Sequence, residues 1–201
     1  APGVAQQAVA AAPPDAARAA AVSDAWAGNA SAAAFDARQA LLAGGGWSQG
    51  GDKMWGSGTG VESITADNVA YYDEGMDEAH ARCGGSSCAL IVNPAGHRTV
   101  NTFHIHFVHF ESYGSSLKRK LESEVCLKEG WQSGGQPCSG RAAFFPGFPG
   151  VFRQAMAAGS IADATVIAWP AACGGRGTIV EVGYGCSIEH QIRGDYNPHY
   201  R

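Results

Sequence analysis

Ten residues, Asn101-Thr102-Phe103-His104-Ile105-His106-Phe107-Val108-His109-Phe110, constrain the fold more than any other stretch of the chain. In an extended backbone, side chains two residues apart share a face. Thr102, His104 and His106 then point one way, and Phe103, Ile105 and Phe107 point the other. The alternation predicts a central β-strand over 100–110. Its aromatic and aliphatic set faces a core, and its Thr/His set faces a cleft or solvent. His109 falls on the apolar side and is not a partner of the other two.

Two imidazoles on one face suit phosphate chemistry, where one neutral ring attacks phosphorus and the other donates a hydrogen bond to a phosphate oxygen. His-x-His also supplies two ligands to zinc. A third ligand would come from His97, Glu111 or His190, and no spacing selects among them. The remaining alternative is a pair satisfied by local hydrogen bonds. Phosphate chemistry ranks first.

The chain around this strand mixes both kinds of secondary structure. Asp67–Arg82 has Val69, Tyr72, Met76 and Ala79 at helical spacing, a stripe suited to core packing. Cys88–Val92 reads as a short apolar strand, and Asn93-Pro94-Ala95-Gly96 as a turn. Ser115–Leu127 is amphipathic, with Leu117, Leu121 and Val125 inward. A Gly/Pro-rich stretch holding Phe144, Phe145 and Phe148 follows, then a short helix over Val151–Ala158. Thr165–Trp169 and Thr178–Tyr184 read as a closing pair of strands. The phenylalanines are expected to tuck inward rather than form a contact patch.

The first 62 residues differ. An Ala/Pro tail precedes two predicted helices, one capped by Asp15 and running to about Trp26, the other capped by Ser31 and running over Ala32–Leu42. Alanine buries little area, so this pair needs something to pack on. The glycine-rich residues 43–62 are expected to form an irregular loop anchored by Trp47 and Trp55; Trp131 and Trp169 are likewise expected to be anchors or core. The expected organisation is an α+β protein: an Ala-rich helical arm and loop over 1–62, and a domain with an antiparallel sheet and flanking helices over 63–201.

A net charge of −4 and the absence of a long Lys/Arg run argue against nucleic acid and anionic lipid as partners. No apolar stretch approaches the roughly 20 residues that cross a bilayer, so the expectation is a soluble or at most peripheral protein. The opening Ala-Pro-Gly-Val-Ala is what a signal or transit peptidase leaves, or an arbitrary cut. Six cysteines among Gly/Ser-rich loops suggest disulfides and an oxidising compartment, with buried free thiols as the alternative. Local pairing, 83–88, 126–138 and 173–186, is preferred among the possible connectivities.

The stretch Leu90-Ile91-Val92-Asn93, then Arg98-Thr99-Val100-Asn101-Thr102-Phe103-His104-Ile105-His106, resembles the histidine-triad (HIT-like) superfamily, and within it the CDP-diacylglycerol pyrophosphatases. The strand ending in Asn, the turn, Arg-Thr, the second Asn eight residues on and the alternating histidines carry the likeness. About twenty residues match closely, with a looser extension to Ile188-Glu189-His190-Gln191. The resemblance implies a HIT-like sheet and a nucleotide pyrophosphate, such as CDP-diacylglycerol, cleaved through a nucleotidyl-histidine intermediate without metal or cofactor. His104 matches the nucleophile, and His106 the third histidine, which contacts phosphate. Asn93, Arg98, Asn101 and Thr102 are the implied substrate-binding positions, with Arg141 a further candidate for phosphate. Thr102 stands where the family has its first histidine, and threonine donates no proton near neutral pH.

That replacement supports a second expectation: a non-catalytic HIT-like subunit of a larger lumenal or membrane-associated complex, for example a photosystem, held through extended low-complexity termini. Either protein would sit in a secretory, periplasmic or thylakoid-lumen space.

Overall fold

The computed structural model describes residues 46–133 and 138–193. The two helices expected in the alanine-rich arm, the tail before them and the tail around Tyr196–Tyr200 lie outside the described residues. Eight strands form one sheet: β1 (Ser48–Gly50), β2 (Lys53–Trp55), β3 (Cys88–Val92), β4 (His104–His109), β5 (Gln132–Ser133), β6 (Ser139–Pro146), β7 (Thr165–Ala171) and β8 (Gly177–Tyr184). Their order is β1-β2-β4-β3-β7-β8-β6-β5, and every pairing is antiparallel. Among the described residues, four α-helices accompany it: α1 (Val69–Cys83), α2 (Ser112–Val125), α3 (Val151–Ala158) and α4 (Ile188–Ile192). The chain is an α+β protein.

Helices cover both faces of the sheet, so its central strands are buried on both sides. This is why β3, Cys-Ala-Leu-Ile-Val, is an unbroken apolar run, buried at all five residues. On one face Leu90, Phe103, Ile105, Phe107, Val166 and Val180 pack against Tyr72, Met76 and Ala79 of α1 and Phe152 and Ala155 of α3. On the other, Ile91, Val108, Ile167, Trp169 and Ile179 pack against Leu117, Leu121 and Val125 of α2 and Ile188 and Ile192 of α4. Asp73 of α1 ties the first pair of helices together. Its Oδ1 accepts from Phe152 N–H at 2.7 Å and, more weakly, from Arg153 N–H at 3.4 Å, capping α3 from outside.

Several expectations need correction. Residues 48–55 are a hairpin rather than irregular loop: the turn between β1 and β2 includes Gly51 at φ +62°, and β2 pairs with β4. The sheet therefore reaches across residue 62. Strand β4 starts at His104, not Val100. The stretch after residue 138 forms strand β6, which pairs with β8 over eight residues, from Ser139 opposite Tyr184 to Pro146 opposite Gly177. Its proline sits at the last strand position, where a missing N–H is tolerated.

Three disulfides are present, Cys83–Cys88, Cys126–Cys173 and Cys138–Cys186. The first is as expected; the expected 126–138 and 173–186 pairs are not formed. Tertiary register overrides sequence proximity here. Ser139 lies across from Tyr184, which brings the residue before β6 beside the residues after β8. Cys126 ends α2, which packs on the face that includes β7, and Cys173 follows β7 by two residues. Three disulfides fit a chain that matures in an oxidising environment. Among the described residues, no helix is long and apolar enough to cross a membrane.

The aromatic residues mostly pack inward. Trp47 stacks on Tyr71 at 4.9 Å and lies over Gly75 of α1, where a Cβ would come within 2.2 Å of its ring. Phe148 stacks on His80 at 4.0 Å, Phe145 meets Trp131, and Trp169 is fully buried.

Candidate functional site

The face shared by His104 and His106 also carries Val108 and Phe110, and the opposite face carries Phe103, Ile105 and Phe107. The two rings stand 4.7 Å apart in a T-shaped arrangement. Strand parity therefore sorts these side chains as alternation requires. The histidine face is not open, however: His104 and His106 are 6% and 7% exposed. His109 is exposed at the end of the strand.

His104 is oriented by its own chain. Its Nδ1 lies 2.6 Å from the carbonyl oxygen of Thr102. A carbonyl only accepts, so Nδ1 carries the proton and Nε2 keeps its lone pair. Burial holds this imidazole below its ordinary range, with His106 and Lys53 adding to the effect and the Thr102 carbonyl opposing it. Trp55 of β2 lies against the ring, centroids 5.0 Å apart. The result is a neutral ring with a free nitrogen, the form in which histidine acts as base or nucleophile.

His106 is oriented by the C-terminal part of the chain. Glu189 of α4 places Oε1 at 3.0 Å from His106 Nδ1. The oxygen lies off the line of the N–H, so the contact is a close approach rather than an aligned hydrogen bond. The other carboxylate oxygen accepts from Asn93 Nδ2 at 2.7 Å, and Arg193 Nη2 approaches Oε1 at 2.9 Å. Burial pushes the Glu189 carboxyl up, but His106, Arg193 and Asn93 outweigh it and hold it below the usual range. Arg193 also pairs with Asp52 at 2.8 Å, and Asp52 takes Lys53 at 2.6 Å. Lys53 lies directly across from His106 in the β2–β4 register.

The seven residues singled out from sequence are distributed unevenly. His104, His106 and Asn93 converge, the last through Glu189. Thr102 contributes its carbonyl, its side chain being exposed, and Asn101 is exposed. Arg98 is engaged in a two-pronged ion pair with Glu62. Arg141 sits on β6, three strands beyond β3 in the sheet order, and donates to the Ala158 carbonyl at 3.1 Å. Sequence reasoning missed Lys53, Trp55 and Arg193 and gave Glu189 no role. The first two lie in the hairpin taken for loop. Glu189 fell inside the loose C-terminal match, the one signal that pointed to it. Among the described residues, no group of three or more His, Cys, Asp or Glu side chains converges to hold a metal ion. No protein-family model matches the chain, and no curated protein matches it, so the chemistry of this site rests on its own geometry.

Proposed function

We propose that the protein is a HIT-like hydrolase that cleaves a nucleotide pyrophosphate of the CDP-diacylglycerol kind, with His104 as nucleophile. The observation that carries this reading is the contact between His104 Nδ1 and the Thr102 carbonyl, which leaves Nε2 unprotonated in a buried setting. His104 Nε2 attacks the nucleotide phosphorus while His106 donates a hydrogen bond to a phosphate oxygen. Water then hydrolyses the nucleotidyl-histidine. Asn93, Arg98, Asn101 and Thr102 are the substrate-side residues in this scheme. The three disulfides support a setting in an extracytoplasmic space or organelle lumen.

A second reading, a non-catalytic accessory subunit of a lumenal or membrane-associated complex, is favoured by the near-complete burial of both imidazoles and by the commitment of Arg98 to Glu62. One assay separates them. The hydrolase turns over CDP-diacylglycerol in mixed micelles, or another nucleotide pyrophosphate, and loses that activity in His104→Ala. No turnover across a nucleotide panel refutes the hydrolase.

A further inference from the structure

A threonine at 102 leaves the proposed reaction without the proton donor that a first histidine would bring. The structure offers a different arrangement on the same strand. We propose that Glu189 is a positioning residue, fixing the His106 ring so that its Nε2 protonates the leaving group. The proposal rests on the reading above, in which His104 attacks.

The groups facing His106 support it. Lys53 lies across from it on β2, His104 precedes it by two residues on β4, and Ile91 lies across on β3. From α4 come Glu189 and Arg193, and Asn93 joins through Glu189. Two cations in this set are each partnered by Asp52, which pairs with Lys53 and with Arg193. Glu189 is the anion in contact with the His106 ring, at 3.0 Å from Nδ1. With Nδ1 turned to that carboxylate, Nε2 is left buried without a protein partner, free to give its proton to a molecule beside His104. Glu189 is itself locked, by Asn93 on one oxygen and Arg193 on the other. The segment leading into α4 is pinned by the Cys138–Cys186 bridge.

The step balances. The lone pair of His104 Nε2 forms the bond to phosphorus, and the bond from phosphorus to the bridging oxygen breaks. Its electron pair leaves on the phosphomonoester, which takes the proton from His106. In the second half, water attacks phosphorus and the nitrogen–phosphorus bond returns its pair to His104. The proton released by water replaces the one that His106 gave up.

The test uses two esters of cytidine 5′-monophosphate, nitrophenyl and phenyl, because nitrophenolate departs without a proton and phenolate does not. In Glu189→Gln, turnover of the phenyl ester should fall by about 10²–10⁴-fold, and of the nitrophenyl ester by less than about tenfold. His106→Asn, which leaves Glu189 its contacts with Asn93 and Arg193, should show the same split and serves if the glutamine variant does not fold. Equal losses on both esters in either variant would make Glu189 merely structural and overturn the proposal. Failure of the underlying reading looks different. Wild-type protein inert on both esters, or His104→Ala as active as wild type, removes the nucleophile, and the catalytic role of Glu189 falls with it.

Discussion

Glu181 is fully buried in the middle of β8, flanked by Ile167 on β7 and Ala142 on β6. One carboxylate oxygen accepts from Trp169 Nε1 at 2.8 Å, and the other has no partner. Burial disfavours the charged form more than the single indole bond favours it, and pushes the carboxyl from 4.5 up to about 7. A raised carboxyl pKa means that the folded state binds the proton more tightly than the unfolded chain. Stability is therefore gained as pH falls from about 7 toward 4.5, and is absent above pH 7. At about 1.4 kcal/mol per pH unit, the displacement amounts to roughly 3 kcal/mol, an upper figure because water entry would relax the site. Glu181→Gln keeps an acceptor for Trp169 and cannot ionise. Any cost of seating its amide is the same at every pH, and other titrating groups are common to both proteins. Urea unfolding at pH 4.5 and pH 8.5 should show the stability of Glu181→Gln relative to wild type rising by up to about 3 kcal/mol between the two. A difference that is flat with pH, or that moves in wild type's favour at pH 8.5, would refute the argument that an ionised carboxylate is being held in the core.

Asp73→Ala removes the side chain that caps α3 and should cost about 1–2 kcal/mol in denaturant unfolding, while Asp73→Asn, which keeps the oxygen facing Phe152 N–H, should cost less than half as much. Gly75→Ala would normally favour a helix, but the new methyl carbon would lie 2.2 Å from the Trp47 ring, so the expected result is a loss of about 1–3 kcal/mol with a changed near-ultraviolet circular dichroism signal; a gain in melting temperature would contradict it. Replacing both Cys138 and Cys186 by serine opens a 48-residue span and should lower stability by about 2–4 kcal/mol. It should also loosen the Glu189–His106 contact, visible as a change in the His106 ring signals in NMR spectra, and unchanged signals would show that α4 holds its place without the bridge.

What the sequence by itself determined was local. The sides taken by His104, His106, Phe103, Ile105 and Phe107 follow from a two-residue period, which needs only an extended backbone. The five residues of β3 and the eight of α3 were delimited by their own apolar runs and flanking glycines, turns and caps. The tertiary structure decided what meets what across the chain. It turned a glycine-rich segment into the edge hairpin that sets Lys53 and Trp55 beside the histidines, because β4 presented an open edge for β2 to pair with. It chose the disulfides through the β6–β8 register and the placement of α2 against β7, rather than through spacing. It brought Glu189 to His106, and to Asn93 from almost a hundred residues away. Such encounters depend on sheet order and helix docking, which emerge only when the two cores close, and no periodicity within a single segment carries them.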